Sequence, residues 1–299
     1  MERNGLDISA YQKGINFNAI KNAGVEFLIV RAGFTGWGTG VSYNVDECFE
    51  TFYKQAKDTG IPVGAYWYSC ANTYDKGVAE ANYMYDKCLK DKQFEYPIYI
   101  DVEDTHHQVN NKAGVTEAVK GFCETLENKG YYVGVYGSDI SGFKEKMHLS
   151  DLDAYDKWVA IYGAKPGYVK AYGIWQHTSK GKINGYNGYL DRNIAYKDYP
   201  TIMKNAGLNG YSKTSDTPEP TPVAKQTLYL PATAKSWNVY PMDKQPVVGN
   251  ECGKLLPSKF GGLTYDILGW TTKNTAVIKT RDFGKVQIYV APSTGAIIK

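Results

Sequence analysis

The sequence predicts an α/β fold, an irregular (β/α) barrel of eight strands and about five helices, followed by a small all-β domain. Three observations carry this expectation. Residues 1–211 alternate helix-like segments with short apolar runs bounded by Gly, Pro or Asp, the pattern of buried parallel strands and their crossovers. Residues 225–299 hold only short β-branched or aromatic segments split by Pro and Gly. Between them, residues 212–224 set Pro218, Pro220 and Pro222 at alternate positions among Ser, Thr, Asp and Glu. Such a stretch makes an extended spacer and no core.

Taken in order, the barrel strands are expected at 6–9, 26–34, 63–70, 97–103, 131–137, 157–163, 174–178 and 190–195. Helices are expected at 17–22, 46–59, 75–91, 115–128 and 138–147. Gly24, Gly60 and Gly130 stand just past three of these helices, where a left-handed residue ends the turn. Asp75, Thr116 and Glu117 supply capping or acidic residues at helix starts. The second domain offers strands at 227–230, 237–240, 263–270, 276–280 and 285–290, with no helical period.

Composition narrows the function classes. Apolar residues make up 43% and charged residues 22% of the chain, too apolar a balance for disorder. No run approaches the roughly 18 apolar residues of a membrane helix, so membrane insertion is not expected. Residues 1–5 lack the apolar segment of a signal peptide, so the chain is expected to be made in the cytoplasm without one. Cys48, Cys70, Cys88, Cys123 and Cys252 form no C-x-x-C pair and read as small, buried, reduced hydrophobes rather than a zinc site or a disulfide framework. The 26 tyrosines are flat faces with polar tips, suited to sugar rings as well as to packed cores. Residues 225–299 carry ten Lys and Arg against four Asp and Glu, a net +6, whereas residues 1–211 are near neutral at −2. Only the small domain is then expected to seek a polyanion; a nucleic-acid partner is not expected.

Four carboxylates stand at strand ends. Asp7 belongs to the first strand, Asp101 and Glu103 to the fourth, and Asp191 to the eighth. A barrel builds its site at the C-terminal ends of its strands, so three strands would aim acids at one mouth. A spacing of two puts Asp101 and Glu103 on one face, where both cannot ionise easily. Glycoside hydrolysis asks for such a set, one acid to protonate the leaving oxygen and another group to stabilise the cationic centre. Taken singly, Asp7 or Asp191 reads more plainly as a turn residue. The D-x-E pair does not, because buried acids after so apolar a run as Pro-Ile-Tyr-Ile are costly. Asp104 reads as a solvated turn residue. His106 and His107 lack ligand spacing and read as surface loop residues, so no metal is expected. The Gly-rich stretch 34–40 lacks the ending of a phosphate loop and reads as a rim loop.

These residues lie in stretches that resemble glycoside hydrolase family 25, the Chalaropsis-type lysozymes. The stretches are Leu6-Asp7-Ile8-Ser9-x-Tyr11-Gln12, Gly64-Ala65-Tyr66-Trp67-Tyr68, Asp101-Val102-Glu103, Trp175-Gln176 and Leu190-Asp191-x-Asn193, in family order across residues 4–205. The resemblance implies a cofactor-free muramidase that cleaves the β-1,4 bond between N-acetylmuramic acid and N-acetylglucosamine in bacterial peptidoglycan with retention. By motif, Glu103 matches the general acid/base. Asp101 matches the residue that orients the 2-acetamido group or stabilises the cation, either directly as nucleophile or through the substrate; Asp7 and Asp191 match flanking acids. Tyr66, Tyr68, Tyr136 and Trp175 are candidates to stack on sugars, with Gln176 and Asn193 as further binding residues. Alternation sets Tyr66 and Tyr68 opposite Trp67, which places Trp67 outside the barrel. His177 stands where the family usually has an aromatic.

The second domain is similar to bacterial SH3-type wall-binding modules in size, β content and position. Trp237, Tyr240, Tyr265 and Trp270, with the +6 charge, would suit wall peptide, glycan or teichoic acid. The whole chain resembles a phage endolysin or a bacterial autolysin that acts at the cell wall after release. A chitinase-like D-x-x-D-x-D-x-E arrangement is discounted, because Tyr99 and Tyr96 stand where two of its acids belong. The remaining alternative, a glycan-binding protein on an inactive barrel, is at odds with the presence of all four acids.

Overall fold

The computed structural model describes residues 2–36, 42–212, 226–242, 244 and 246–299. The chain divides into two compact units, Met1–Asp216 and Thr217–Lys299. Most of the proline-rich stretch, and residues 37–41 of the Gly-rich loop, fall outside the described residues.

In the first unit the strands are β1 (Arg3–Ile8), β2 (Phe27–Thr35), β3 (Tyr43–Val45), β4 (Val63–Tyr68), β5 (Ile98–Asp101), β6 (Val133–Ser138), β7 (Asp156–Ala160), β8 (Ile174–Gly181) and β9 (Leu190–Ala195). Eight of them close a barrel in the order β1, β2, β4, β5, β6, β7, β8, β9 and back to β1. All neighbours are parallel except β9, which runs antiparallel to both β8 and β1. β3 is a short hairpin partner added to β2.

Alternation along each strand separates two cores. Leu28 and Val30 of β2, Ile98 and Ile100 of β5 and Val159 of β7 face outward, under a layer of helices. Phe27 and Ile29, Tyr99 and Trp158 face inward from the same strands. The interior is therefore filled with large rings, as small barrels require. Space for them comes from inward glycines: a side chain at Gly134 would meet the Tyr99 ring.

The helices are α1 (Phe17–Asn22), α2 (Phe49–Thr59), α3 (Tyr74–Met84), α4 (Lys112–Glu127) and α5 (Tyr199–Ala206). Two expectations need correction. The segment 138–147 forms only a wide π turn over Asp139–Lys144 and one short helical continuation. Asp139 spends its carboxylate on the backbone N–H groups of Gly167, Tyr168 and Val169. The fifth α-helix is instead α5, which opens with Pro200 and ends at left-handed Gly207. Its Tyr199 and Met203 close the lower end of the inner core. No described helix is long and apolar enough to cross a membrane.

Among its described residues the second unit is all-β apart from two 3-10 turns. β10 (Thr227–Leu230) lies between β13 (Leu263–Asp266) and β17 (Ile297–Ile298). The other sheet runs β12 (Gly253–Leu255), β11 (Trp237–Tyr240), β16 (Gly284–Tyr289), β15 (Thr275–Thr280) and β14 (Gly269–Thr272). The expected strand 263–270 is thus two strands in two sheets, β13 paired with β10 and β14 with β15. Leu228, Leu230, Val239, Ile278 and Ile288 form a separate core.

α3 and α4 pack through glycines: a Cβ at Gly77 would collide with the Ala118 carbonyl, and one at Gly121 with the Tyr74 carbonyl. Alanine usually stabilises a helix interior over glycine by about 0.5–1 kcal/mol. Here the sign reverses, and Gly77→Ala is expected to destabilise by about 1–3 kcal/mol, the scale of overpacking. Urea unfolding measures this; a gain in stability would mean that the helices can part freely.

Candidate active site

The inward positions near the C-terminal ends of the parallel strands open into a cavity of about 610 Å³. Asp7, Asp101, Glu103 and Asp191 all line it. Asp101 ends β5, and Glu103 lies two residues beyond it. The ladder still holds the chain extended there, since the Val102 N–H donates to the Tyr136 carbonyl at 3.0 Å. Both acids therefore reach the same cavity. Asp191 arrives differently from the expectation of a strand end. β9 is antiparallel, so its first turn of ladder, not its last, reaches the mouth, and Asp191 pairs in register with Asp7.

The floor decides the electrostatics. Trp158 packs against Tyr136 at 4.3 Å, Tyr99 at 5.3 Å and Tyr66 at 5.9 Å between ring centres, and leaves little room for water beneath the acids. Burial, reinforced by Asp191, pushes Asp7 up to about 8 against the hydrogen bonds it receives from Asn193 and Gln176. Burial also raises Asp101 well above the ordinary aspartate range, with Glu103 and Asp7 adding to the rise and Arg31 and Lys146 opposing it. Glu103 keeps an exposed side. The protein packed around its carboxyl nevertheless raises its pKa, with Lys146 opposing and Asp191 assisting. Asp191 is likewise raised by burial. Four acids that share one cavity with the single guanidinium of Arg31 disfavour one another's ionisation.

Hydrogen bonds hold Asp7 in place. Its Oδ2 accepts from Gln176 Nε2 at 2.9 Å and from Asn193 Nδ2 at 2.8 Å. The indole N–H of Trp158 donates to Asn193 Oδ1 at 2.7 Å. Both Tyr136 and Tyr162 donate to Gln176 Oε1, at 3.0 and 2.8 Å. Each amide is thereby oriented with its NH2 toward Asp7. Asp101 Oδ1, by contrast, is buried with no hydrogen-bond partner among the described residues, an acceptor left over for something that enters the cavity.

Tyr66, Tyr68, Tyr136 and Gln176 line the cavity. Two expected binding residues do not. Trp175 lies on the opposite face of β8 from Gln176, its indole N–H bonded to the Ile161 carbonyl at 3.0 Å and its ring against His177. Asn193 is buried behind Asp7 and reaches a ligand only through it. Trp67 is fully buried in the outer layer, with its indole N–H bonded to Thr35. Sequence reasoning missed Arg31, Trp158 and Tyr162, which also line the cavity. Arg31 bonds Asp46 at 2.8 Å and stacks between Tyr11 and Phe34. Inward alternation from Phe27 and Ile29 would have found Arg31, and the same count from Trp158 finds Tyr162.

In the second unit Tyr240 is a buried residue, which corrects its assignment as a ligand contact. Trp237 and Tyr265 pack partly against the core, and the Trp237 N–H donates to the Tyr289 carbonyl. Trp270 is the exposed member of the four.

Comparisons with known proteins agree with this geometry. The sequence profile of glycosyl hydrolases family 25 matches residues 6–186. The autolytic lysozyme of Clostridium acetobutylicum is 30% identical over 188 residues, which cover 62% of this chain and 54% of that protein. The endolysin of Listeria phage A511 is 34% identical over 158 residues, 52% of this chain and 41% of that one. The chain thus spans about half the length of these curated relatives. Among solved structures, the CTP1L endolysin superposes with a TM-score of 0.58 at 25% identity, covering 68% of this chain and 70% of that one.

The Asp7 shift has a consequence for stability. In the unfolded chain Asp7 loses its proton near pH 4; in the folded chain it keeps it to about 8. The folded state binds the extra proton in that window, so stability falls as pH rises through it. Asp7→Asn retains an acceptor for both amides and removes the titration. Its melting temperature relative to the parent is expected to rise between pH 5 and pH 8. Parallel curves for the two proteins would show Asp7 ionised throughout.

Proposed function

The chain belongs to family 25 of the glycosyl hydrolases, and on that footing we propose that it is an endolysin- or autolysin-like peptidoglycan hydrolase. The bond cut is the β-1,4 link between N-acetylmuramic acid and N-acetylglucosamine. The observation that carries this reading is the convergence of four acids with raised pKa on one aromatic-lined cavity.

Glu103 is the general acid/base. Its carboxyl holds a proton above the ordinary glutamate range yet remains open to solvent, so it can give that proton to the leaving oxygen and regain one from the water it activates. Asp101, fully enclosed and with one oxygen unpartnered, faces the developing positive charge, either by holding the substrate's acetamido group or by bonding the sugar carbon. Both routes retain the anomeric configuration. Asp7 and Asp191 flank the reacting sugar, and Tyr66, Tyr68 and Tyr136 offer faces to it.

The second unit is a wall-binding module of SH3 type in this reading, and its ligand is an anionic wall polymer such as teichoic acid. Support comes from the +6 charge of residues 225–299 and from exposed Trp270 and Tyr289. Attachment to the insoluble substrate raises the local concentration of the catalyst.

Glu103→Gln is expected to keep fold and wall binding while the release of reducing ends from purified walls falls at least ~10²-fold. NMR of the parent's products is expected to show the β anomer first. Near-normal release by the variant, or an initial α product, would remove Glu103 or retention from the mechanism. Residues 226–299 fused to a fluorescent protein are expected to bind walls less tightly as salt rises, because screening shortens the reach of the charge. Binding indifferent to salt and to teichoic acid extraction would rule out the electrostatic contribution.

A further inference from the structure

The turn after Glu103 holds buried polar groups that glycoside cleavage does not use. Asp104, expected at the surface, is 0% exposed. Its Oδ2 accepts the backbone N–H of His106 at 2.9 Å and that of His107. Among the described residues its Oδ1 has no hydrogen-bond partner. The Nδ1 atom of His107 is also buried without one, and it faces the Asp104 carboxylate at 3.5 Å. Cys70, buried two residues beyond β4, brings its sulfur to the same point. One ligand atom from each of Cys70, Asp104 and His107 lies within 4.8 Å of the other two.

We propose that Cys70, Asp104 and His107 bind a thiophilic divalent cation, zinc foremost, which ties the end of β4 to the turn that carries Glu103.

The chemistry of the three donors favours that occupant. An ionised carboxylate only accepts hydrogen bonds, and a thiol has a single proton to give. The Cys70 thiol is also within reach of the Thr35 carbonyl, at 3.4 Å. That single proton serves either the Thr35 carbonyl or the Asp104 carboxylate, and among the described residues Asp104 Oδ1 and His107 Nδ1 have no hydrogen-bond partner. A cation meets all three donors at once and takes the place of the thiol proton, which leaves to solvent as the metal–sulfur bond forms. Thiolate with imidazole selects zinc over magnesium or calcium. Usual zinc bond lengths set tetrahedral donors about 3.3–3.6 Å apart. The 4.8 Å cluster would close by about 1 Å, a shift available to the half-exposed His107. Three protein donors leave a fourth position for water.

None of the three donors lines the catalytic cavity. The cation would act on position rather than on substrate. β4 and β5 are neighbours, with Tyr68 paired to Asp101. A bond across their ends would fix the turn from which Glu103 projects.

The test uses the full chain, freed of metal with a chelator, and cobalt(II) as a spectroscopic probe. A thiolate-to-cobalt charge-transfer band should grow to one equivalent and be displaced by zinc, and zinc should raise the melting temperature. Cys70→Ser should abolish the band. His107→Ala, a change at a half-exposed residue that spares the core, should weaken cobalt binding by more than the ~10-fold cost of losing an outer partner of a ligand. Cys252→Ser, which removes the exposed thiol of the second unit, should leave the band intact. Absence of the band in the parent, its persistence in Cys70→Ser, or cobalt affinity unchanged in His107→Ala would each overturn the proposal.

Discussion

The indole of Trp158 is the contact on which the rest of the site depends. It fills the barrel beneath the acids, and its ring meets Tyr66, Tyr99 and Tyr136. Its N–H fixes the Asn193 amide, which in turn presents its NH2 to Asp7. One side chain thus removes water from under the carboxylates and orients the partner of one of them. Dryness raises the pKa values, while the amides stop Asp7 from turning away. Without the aromatic floor the same four acids would be ordinary solvated carboxylates.

The division of roles we propose rests on how each acid is enclosed. Asp7 has one oxygen committed to two amide donors, and burial raises its pKa to about 8. Asp101 is buried, and its Oδ1 has no hydrogen-bond partner among the described residues. Glu103 alone among these three keeps an exposed side. A group that must lose and regain a proton in every turnover needs a route to solvent, and a group that only faces charge does not. The pairing of a sealed Asp101 with an open Glu103 suits the acid/base role to the latter.

Sequence patterns revealed composition and face, but not strand direction. Asp101 and Glu103 were legible because two acids after Pro-Ile-Tyr-Ile have no cheap structural reason to be there. Asp191 was legible as a residue, while its path to the mouth was not, since the alternation of a six-residue strand reads the same in either direction. Arg31, Trp158 and Tyr162 follow from alternation alone, but neither charge pairing nor motif sets them apart in the sequence. Trp175 could have been excluded by the same rule, for neighbours in a strand cannot both face inward. In the second unit the stretch from Leu263 to Trp270 read as one strand, because nothing in its hydrophobicity marks the change of sheet after Asp266.

Cys70, Asp104 and His107 were illegible for a related reason. Their spacing belongs to no metal motif, and only the parallel pairing of β4 with β5 brings residue 70 beside residues 104 and 107. The two strand ends share a construction. Tyr68 and Asp101 pair in register and point into the cavity; two and three residues later Cys70 and Asp104 meet behind it. The register that sets the spacing of the site therefore also sets the spacing of the cluster behind it. A slip in one strand would move both together, so the buried polar turn and the acids of the cavity constrain a single backbone geometry.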